Sequence, residues 1–469
     1  MRIAVIGGGY VGLVSGACLA TEGHEVIIVE QNTDKVQSIN DGISPIHEEG
    51  LSAMLESCVG ENLHATTQLE AAVQSSEVTV IAVGTPFDGD EIDLSQVEQA
   101  SISIGQALRH INRYHVVVVK STVVPGTTDD LVTPMLRLHS GKRIGVEIGV
   151  GMNPEFLREG SAVSDFMEPD RIVIGGCDER ARKRLAEVYE PFGNTDKVYV
   201  NNRTAEMIKY ASNSLLATLI SFSNEMGNLC SEINGVNVAD VLAGVKLDKR
   251  LSPILADGER ITPQINTYLE AGCGFGGSCF PKDVNALRAY GAQRKVDMPV
   301  LDAVMQTNDS QPLRLMSLLD ERNIDVSAIN VTVLGLAFKP GTDDVRESPA
   351  LTIVRALAKR GALITAYDPV ATDEARIALA DTDVVYADTL PSAVAQASVI
   401  MLVTAWPEFS TLPSSLVNLG INPLVIDGRG FLDGDAIEHY DCIGIGKEQT
   451  DSDYSDISDT NDDSVSTAA

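Results

Sequence analysis

The chain of 469 residues has few of the features that assign a protein to a class at first sight. Its seven cysteines are scattered and include no CxxC pair, which argues against a disulfide scaffold or a zinc site and favours a reducing compartment. No apolar run reaches the ~20 residues needed to cross a bilayer. Glycines interrupt the apolar first twenty residues, which therefore predict a strand, a turn and a helix instead of a targeting signal. We expect a cytoplasmic protein with no membrane partner and no bound metal.

Basic residues are scarce. Lysine and arginine number 35 against 66 acidic residues, and the resulting net charge of -31 argues against nucleic acid as a partner. Residues 447–469 repeat Ser and Asp and include few apolar side chains, so they are predicted to form a disordered acidic tail. The hydrophobic fraction of 44% and the chain length predict two or three well-buried domains.

The order of predicted elements indicates an α/β protein. Residues 1–200 alternate short β-branched runs with helical patterns, which is typical of a parallel sheet with crossover helices. Residues 201–311 carry apolar side chains at helical spacing, and residues 312–446 return to alternating strands and helices. We therefore predict two Rossmann-like, doubly wound parallel-sheet domains joined by a long central helix and a helical middle domain. The predicted strands are Arg2–Ile6, Glu25–Val29, Val78–Val83, His115–Lys120 and Arg171–Ile174, then Val331–Leu334, Leu363–Tyr367, Val399–Val403 and Leu424–Ile426.

A dinucleotide fingerprint, GGGYVG, lies between the first two predicted strands at residues 7–12. Gly7, Gly9 and Gly12 permit a tight turn, close approach of a pyrophosphate and close helix packing, respectively. Glu30 ends the second strand, where an acid binds the ribose 2'-hydroxyl and repels a 2'-phosphate. This pattern predicts NAD as the cofactor. Lys35 slightly weakens the exclusion of NADP, and it is equally consistent with a solvated helix charge.

The segment Gly272–Asp283, GCGFGGSCFPKD, places a nucleophile, a cation and a carboxylate within five residues. Cys279 follows small residues that let a substrate approach the sulfur closely. The neighbouring ammonium of Lys282 is expected to favour the reactive thiolate. The alternative is that Cys279 is a buried structural cysteine beside a turn. The dinucleotide fingerprint upstream and the lysine-bearing segment LAFKPGTDDVRESP downstream favour covalent catalysis instead.

Two other segments carry paired polar residues. In NPEFLREG, residues 153–160, Asn153 suits a helix cap, and Glu155 and Glu159 would share one face if the segment is helical. Acids in a first turn are also common because they suit the helix dipole. Lys209 and Asn213, four residues apart, project together from the predicted central helix. Such a pair ordinarily lies on a solvent-exposed face of a helix.

These motifs and the segment LAFKPGTDDVRESP together resemble the UDP-glucose and GDP-mannose dehydrogenase family, from Met1 to about Gly446. The resemblance implies a homodimer formed through the central helix and a nucleotide-sugar substrate bound by residues 312–446. The implied catalytic residues are Cys279, Lys209, Asn213, Asp283, Glu159 and Thr122. The implied NAD contacts are Gly7, Gly9, Val11, Gly12, Glu30, Lys35, Thr85, Thr122, Glu159, Lys282 and Arg346. The implied substrate contacts are Glu155, Phe156, Leu157, Lys209, Asn213, Arg260, Tyr268, Gly276, Phe338 and Lys339.

The resemblance also implies a reaction. The C6 alcohol of the sugar would be oxidised to an aldehyde, captured by Cys279 as a thiohemiacetal, oxidised again to a thioester and hydrolysed, with two NAD consumed. UDP-glucose is favoured as substrate, with GDP-mannose as the main alternative. A two-electron hydroxyacid dehydrogenase would share the NAD fold but would not need Cys279 or a second α/β unit. A non-enzymatic NAD sensor would not need the catalytic residues.

Overall fold

The computed structural model describes residues 1–446, so the predicted acidic tail at 447–469 lies outside the described residues. Contacts divide the chain into two compact units. The first comprises residues 1–215, 277–302 and 339–344, and the second comprises, among the described residues, 216–276, 303–338 and 345–446. This division differs from the three consecutive domains predicted above because the chain returns to the first unit twice. The division at residues 200 and 311 stays a prediction.

The first unit contains an eight-stranded sheet in the order β3-β2-β1-β4-β5-β6-β7-β8, parallel except for the β6–β7 pair. The order 3-2-1-4-5-6 is that of dinucleotide-binding sheets. The strands are β1 Arg2–Ile6, β2 Glu25–Val29, β3 Leu63–Thr66, β4 Val78–Ile81, β5 His115–Val119, β6 Ile148–Met152, β7 Arg171–Gly176 and β8 Asp196–Val200. The helices between them are α1 Tyr10–Thr21, α2 Thr33–Asn40, α3 Leu51–Cys58, α4 Leu69–Ser75, α5 Ser95–Leu108, α6 Thr133–Ser140, α7 Ala162–Met167 and α8 Glu179–Val188, with a π-helical turn at Thr128–Val132.

Hydrophobic cores cover both faces of this sheet. In β1, Ile3 and Val5 pack into one core, whereas Ala4 and Ile6 pack into the other. Successive side chains of a strand point to opposite faces, so a strand buried on both sides appears in the sequence as a continuous apolar run. The sheet is therefore a rigid support for the loops that follow its strands.

Four helices follow: α9 Asn202–Ser231, α10 Val238–Lys246, α11 Phe280–Gln293 and α12 Pro299–Glu321, with a 3-10 turn at Gln264–Tyr268. The 30-residue helix α9 confirms the predicted long helix. Leu215, Phe222 and Leu229 recur every seven residues along it, and these residues are 53%, 46% and 57% exposed. The apolar stripe predicted for this helix is thus in part a solvent-exposed surface of the chain.

The second unit contains a six-stranded parallel sheet in the order β11-β10-β9-β12-β13-β14, which repeats the Rossmann pattern. The predicted fold class is confirmed. Its strands are β9 Asn330–Leu334, β10 Leu363–Tyr367, β11 Val385–Tyr386, β12 Val399–Leu402, β13 Leu424–Asp427 and β14 Tyr440–Cys442. Its helices are α13 Pro349–Lys359, α14 Thr372–Ala378, α15 Leu390–Val394 and α16 Leu412–Leu419, with 3-10 turns at Pro407–Thr411 and Gly434–Ala436. Over residues 1–446, no helix combines the length and apolar character needed to cross a bilayer.

Candidate active site

The fingerprint glycines lie at the carboxyl end of β1, and each has a distinct reason to be glycine. Gly7 has a φ of +108°, and a Cβ there would lie 2.5 Å from the carbonyl oxygen of Ala82. A Cβ on Gly12 would collide with the carbonyl oxygen of Gly7. Gly9, in contrast, faces open space, with nothing within 4 Å of the place a Cβ would occupy. That space at the start of α1 fits a pyrophosphate, because helix N-termini attract anions.

Glu30 lies beside this turn. One of its carboxylate oxygens accepts a hydrogen bond from the backbone N–H of Gly8 and the other from that of Asn32, each at 2.9 Å. The Asn32 side chain in turn accepts hydrogen bonds from the backbone N–H groups of Asp34 and Lys35 and caps α2. The carboxylate is thereby fixed next to the fingerprint, where the sequence predicts a ribose contact. The residues present fit an NAD molecule.

Two threonines follow neighbouring strands at the same edge. Thr85 follows β4, and its hydroxyl donates a hydrogen bond of 2.7 Å to the backbone carbonyl of Thr122, which follows β5. The Ser121 hydroxyl donates to the carbonyl of Val83 at 2.7 Å. The two loops are tied together, so the structure brings both predicted cofactor threonines to one end of the sheet.

The NPEFLREG segment follows β6 and is not helical, so a shared helical face for Glu155 and Glu159 is wrong. Asn153 pairs with neighbouring strands instead of capping a helix: its backbone N–H donates to Val119 at 2.9 Å and its side chain donates to the carbonyl of Val173 at 2.9 Å. The Glu155 carboxylate accepts from the backbone N–H of Leu157 at 2.6 Å. These bonds hold the chain in an irregular conformation that delivers Glu155 to the interior.

Glu155 and Lys209 form a buried ion pair with 2.8 Å between Oε1 and Nζ, and their side chains are only 6% and 4% exposed. Burial alone would raise the pKa of Glu155, but the charge and hydrogen bond of Lys209, the backbone N–H of Leu157 and the charge of Lys120 together outweigh it, and the pKa is lowered. Burial alone would lower the pKa of Lys209, but Glu155, Cys279 and Asp283 together raise it. The Lys209 ammonium also lies 5.6 Å from the centre of the Phe156 ring. The pair is therefore charged, and Lys209 is a fixed cation.

Asp283 is almost fully buried one turn into α11. Its Oδ2 accepts a hydrogen bond of 2.6 Å from the Asn213 side chain, which lies one turn after Lys209 on α9. Its Oδ1 pairs with the Lys282 ammonium at 2.5 Å. Because Lys282 is bound to Asp283, it is not the cation that acts on Cys279, contrary to the expectation from sequence.

Cys279 immediately precedes α11, is partly exposed, and has its Sγ 3.6 Å from the hydroxyl of Ser278. Burial raises the pKa of its thiol to about 11; Lys209 and Ser278 oppose this shift, and Glu155 and Asp283 add to it. The thiol is therefore protonated at neutral pH. A thiolate promoted by Lys282 is not what the structure shows, and catalysis requires a proton acceptor.

Ser278 links Cys279 to a proton acceptor, Glu159. Its hydroxyl donates a 3.0 Å hydrogen bond to Oε1 of Glu159. Sequence reasoning missed Ser278, because its partner is 119 residues away and no local pattern connects them. Glu159 also attracts the half-buried Lys339, whose pKa burial lowers. The neighbouring Gly160 has a φ of +81°, and a Cβ there would lie 2.5 Å from the carbonyl oxygen of Gly341.

Five predicted residues belong to the second unit. The Arg260 guanidinium donates to the carbonyls of Leu247 and Ser252 at 2.8 and 2.9 Å. Gly276 packs against the backbone of Glu347, with the side chain of Phe338 near by. Their roles, and those of Tyr268 and Arg346, stay predictions. In the described part of the chain, no group of three or more His, Cys, Asp or Glu side chains could hold a metal ion.

Comparison with known proteins identifies the family. Residues 1–193 match the NAD binding domain of the UDP-glucose/GDP-mannose dehydrogenase family, residues 203–310 match its central domain, and residues 332–434 match its UDP binding domain. The chain belongs to this dehydrogenase family. Its cofactor is NAD.

Individual relatives of this dehydrogenase cover nearly its whole length. It is 42% identical over 434 residues to the UDP-glucose 6-dehydrogenase AglM of Haloferax volcanii, covering 92% of this chain and 96% of the relative. It is 39% identical over 431 residues to the UDP-glucose 6-dehydrogenase TuaD of Bacillus subtilis, covering 91% and 89%. The solved UDP-glucose dehydrogenase of Pyrobaculum islandicum matches with a TM-score of 0.86 and 39% identity, covering 94% and 97%.

Proposed function

We propose that this dehydrogenase oxidises the C6 alcohol of UDP-glucose to the carboxylate of UDP-glucuronate, a four-electron oxidation that consumes two NAD and one water. The observation that carries the proposal is the position of Cys279 among the buried ion pair of Lys209 with Glu155 and the hydrogen-bonded pair of Asn213 with Asp283. A single alcohol oxidation needs no nucleophile, whereas an acid product requires capture of the aldehyde. Relatives named UDP-glucose 6-dehydrogenase support the choice of sugar.

The residues have distinct roles in the first oxidation. Bound NAD supplies the acceptor for both hydrides, one molecule for each. The ammonium of Lys209 and the amide of Asn213 stabilise the negative charge on the oxygen as the alcohol loses its proton to water and its hydride to NAD, which leaves the aldehyde. The Cys279 sulfur then adds to the aldehyde carbon, the thiol proton leaves through Ser278 toward Glu159, and the former aldehyde oxygen takes up a proton from water. The product is a thiohemiacetal on Cys279.

The second oxidation removes a hydride and a proton from this thiohemiacetal and leaves a thioester. Asp283 orients the water that adds to the thioester carbon, and Glu159 with Thr122 assists the proton transfers. The carbon–sulfur bond breaks, which releases the carboxylate and restores the Cys279 thiol. Glu155 positions the substrate through Lys209.

The remaining predicted contacts complete this proposal. Lys339 is a cation suited to the diphosphate or the ribose end of the substrate. We assign Arg346, like Lys35 and Lys282, to the cofactor. The match to a UDP binding domain over residues 332–434 supports a uridine nucleotide. The residues assigned to the nucleotide sugar are Glu155, Phe156, Leu157, Lys209, Asn213, Arg260, Tyr268, Gly276, Phe338 and Lys339.

We also propose a homodimer formed through α9 in a reducing, cytoplasmic compartment. Leu215, Phe222 and Leu229 form an exposed apolar stripe, which a second copy of the chain would cover. All seven cysteines are free, as expected of a protein kept in a reducing compartment.

The test measures NADH released per molecule of sugar, with UDP-glucose and GDP-mannose limiting in separate reactions. We expect two NADH from UDP-glucose. One NADH per sugar would refute the covalent role of Cys279 and indicate a two-electron dehydrogenase. Two NADH from GDP-mannose, with none from UDP-glucose, would refute the assignment of UDP-glucose as the substrate. A Cys279→Ser variant is the matched control, because it keeps the size of the side chain but lacks the thiol, and its yield should not exceed one.

A further inference from the structure

Lys120 is a buried lysine that the reaction steps above do not use. It directly follows β5, and the residue is only 4% exposed. Its ammonium lies 5.5 Å from the centre of the Phe166 ring and 5.9 Å from that of Tyr189. A lysine is almost never buried without a compensating partner. Its position between aromatic rings therefore needs an explanation.

The partner of Lys120 is an amide. Its Nζ donates a 2.9 Å hydrogen bond to Oδ1 of Asn153 and a 3.4 Å bond to the Tyr189 hydroxyl. The Tyr189 hydroxyl donates to the same Asn153 oxygen at 2.5 Å. Among residues 1–446, no carboxylate forms an ion pair with Lys120. Asn153 lies two residues before Glu155, so the ammonium holds the start of the segment that delivers Glu155 to Lys209.

The charge of Lys120 also acts on the catalytic ion pair. Burial lowers the pKa of Lys120 to about 8; attraction from Glu155 opposes this shift and repulsion from Lys209 adds to it. Lys120 in turn helps Lys209 to lower the pKa of Glu155. The other titratable groups that face it are the Cys18 thiol and the Tyr189 hydroxyl, and burial raises the pKa of both, so both are neutral at pH 7.

We propose that Lys120 is a positioning residue of the active site, which fixes Asn153 and, as a further positive charge acting on Glu155, helps Lys209 to hold that carboxylate in place. This role rests on the function proposed above. Lys120 contacts neither the substrate nor the cofactor in this scheme. Its influence passes through Asn153 and Glu155.

Such a role predicts opposite effects on activity and stability. A lysine whose pKa is lowered by folding destabilises the folded chain wherever it is charged, which is the case below about pH 8. Its removal should therefore leave thermal stability unchanged or improved at pH 7, since Tyr189 still donates to Asn153. Activity should fall, because Glu155 loses its second cation. Loss of a residue with a merely structural role would lower both activity and thermal stability.

The test compares Lys120→Met with the wild type and with Lys197→Met. Lys197, in the same unit, donates a 3.4 Å hydrogen bond to the carbonyl of Phe192, so its replacement controls for the loss of a lysine. For each protein we would measure the melting temperature at pH 7, and kcat and KM from pH 6 to 10 with UDP-glucose and NAD. Methionine has a similar length and no charge.

We expect kcat of the Lys120→Met variant to fall tenfold or more, with the KM for NAD and the melting temperature preserved. We expect wild-type kcat to decline above about pH 8, as Lys120 loses its proton, and we expect this decline to be absent in the variant. A wild-type kcat and pH profile in the variant would overturn the proposal, as would failure to fold or a melting temperature lowered together with activity. If the wild type itself does not oxidise UDP-glucose, the proposed function fails, and the melting temperatures alone still test whether the buried charge costs stability.

Discussion

The thiol of Cys279 should react slowly with alkylating agents in the ligand-free protein. Its pKa of about 11 compares with an ordinary value of 9.0. Because alkylation requires the thiolate, and one pKa unit changes its population tenfold, the rate at pH 7 should be about a hundredfold below that of an unperturbed cysteine. Between pH 7 and pH 10 the rate should rise about tenfold for each unit of pH.

Two substitutions should move this rate in opposite directions. Lys209→Met removes the cation that most strongly opposes the effect of burial, so the pKa of the Cys279 thiol should rise and alkylation should slow. Glu155→Gln removes an anion that raises the same pKa, so alkylation should become faster. The two side chains belong to one ion pair, which makes each variant the matched control for the other.

The assay is alkylation by iodoacetamide at a series of pH values, with the modified Cys279 peptide quantified by mass spectrometry. N-acetylcysteine in the same buffers gives the rate of an unperturbed thiol. An apparent pKa of 8.5 or below would refute the argument and restore the thiolate expected from sequence. A shift of both variants in the same direction would refute the assignment of Lys209 and Glu155 as opposing charges.

Two further predictions concern stability and assembly. Glu206 is fully buried and accepts hydrogen bonds from the backbone N–H groups of Gly126 and Thr128, and burial raises its pKa from 4.5 to about 7. Because its carboxyl pKa is raised, Glu206 contributes up to about 3 kcal/mol to the free energy of unfolding below about pH 4.5, and this contribution is lost as the pH rises through about 7. The melting temperature should therefore fall less steeply between pH 4 and 8 in Glu206→Gln than in the wild type. Equal slopes for the two proteins would contradict this. Leu229→Asp, on the exposed stripe of α9, should convert the proposed dimer to monomers in light scattering, whereas the same change at Leu138, which is 70% exposed on α6, should not. A monomeric wild type, or a Leu229→Asp protein that remains dimeric, would reject the proposed interface.

Strands with strong apolar character were predictable from the sequence, and those with mixed character were not. The predicted bounds of β1, β2 and β10 agree with the structure. The strand β6, Ile148–Met152, was missed because its sequence IGVGM contains two glycines, which favour turns in isolation. The edge strand β8, Asp196–Val200, was missed because it includes charged and exposed residues. In both cases pairing with neighbouring strands determines the structure.

The candidate site was predictable in its residues and not in its geometry. Cys279, Lys209 and Asp283 stand out by type and spacing, and they come together in the first unit. Sequence could not reveal that Lys282 is bound to Asp283, or that burial outweighs the attraction of Lys209 for a thiolate. It also assigned NPEFLREG to a possible helix, since the bonds that hold Asn153 come from strands distant in sequence.

The contacts that define the site have a consequence for how the chain acquires activity during folding. Glu155 pairs with Lys209 across 54 residues, Asn213 with Asp283 across 70, and Ser278 with Glu159 across 119. Contacts between residues far apart in sequence require closure of long loops and tend to form late. The chain must therefore be synthesised past the start of α11 before any of its nucleophilic chemistry exists. Nascent chains that end before that point lack the Cys279 nucleophile, although they already contain every strand of the first sheet.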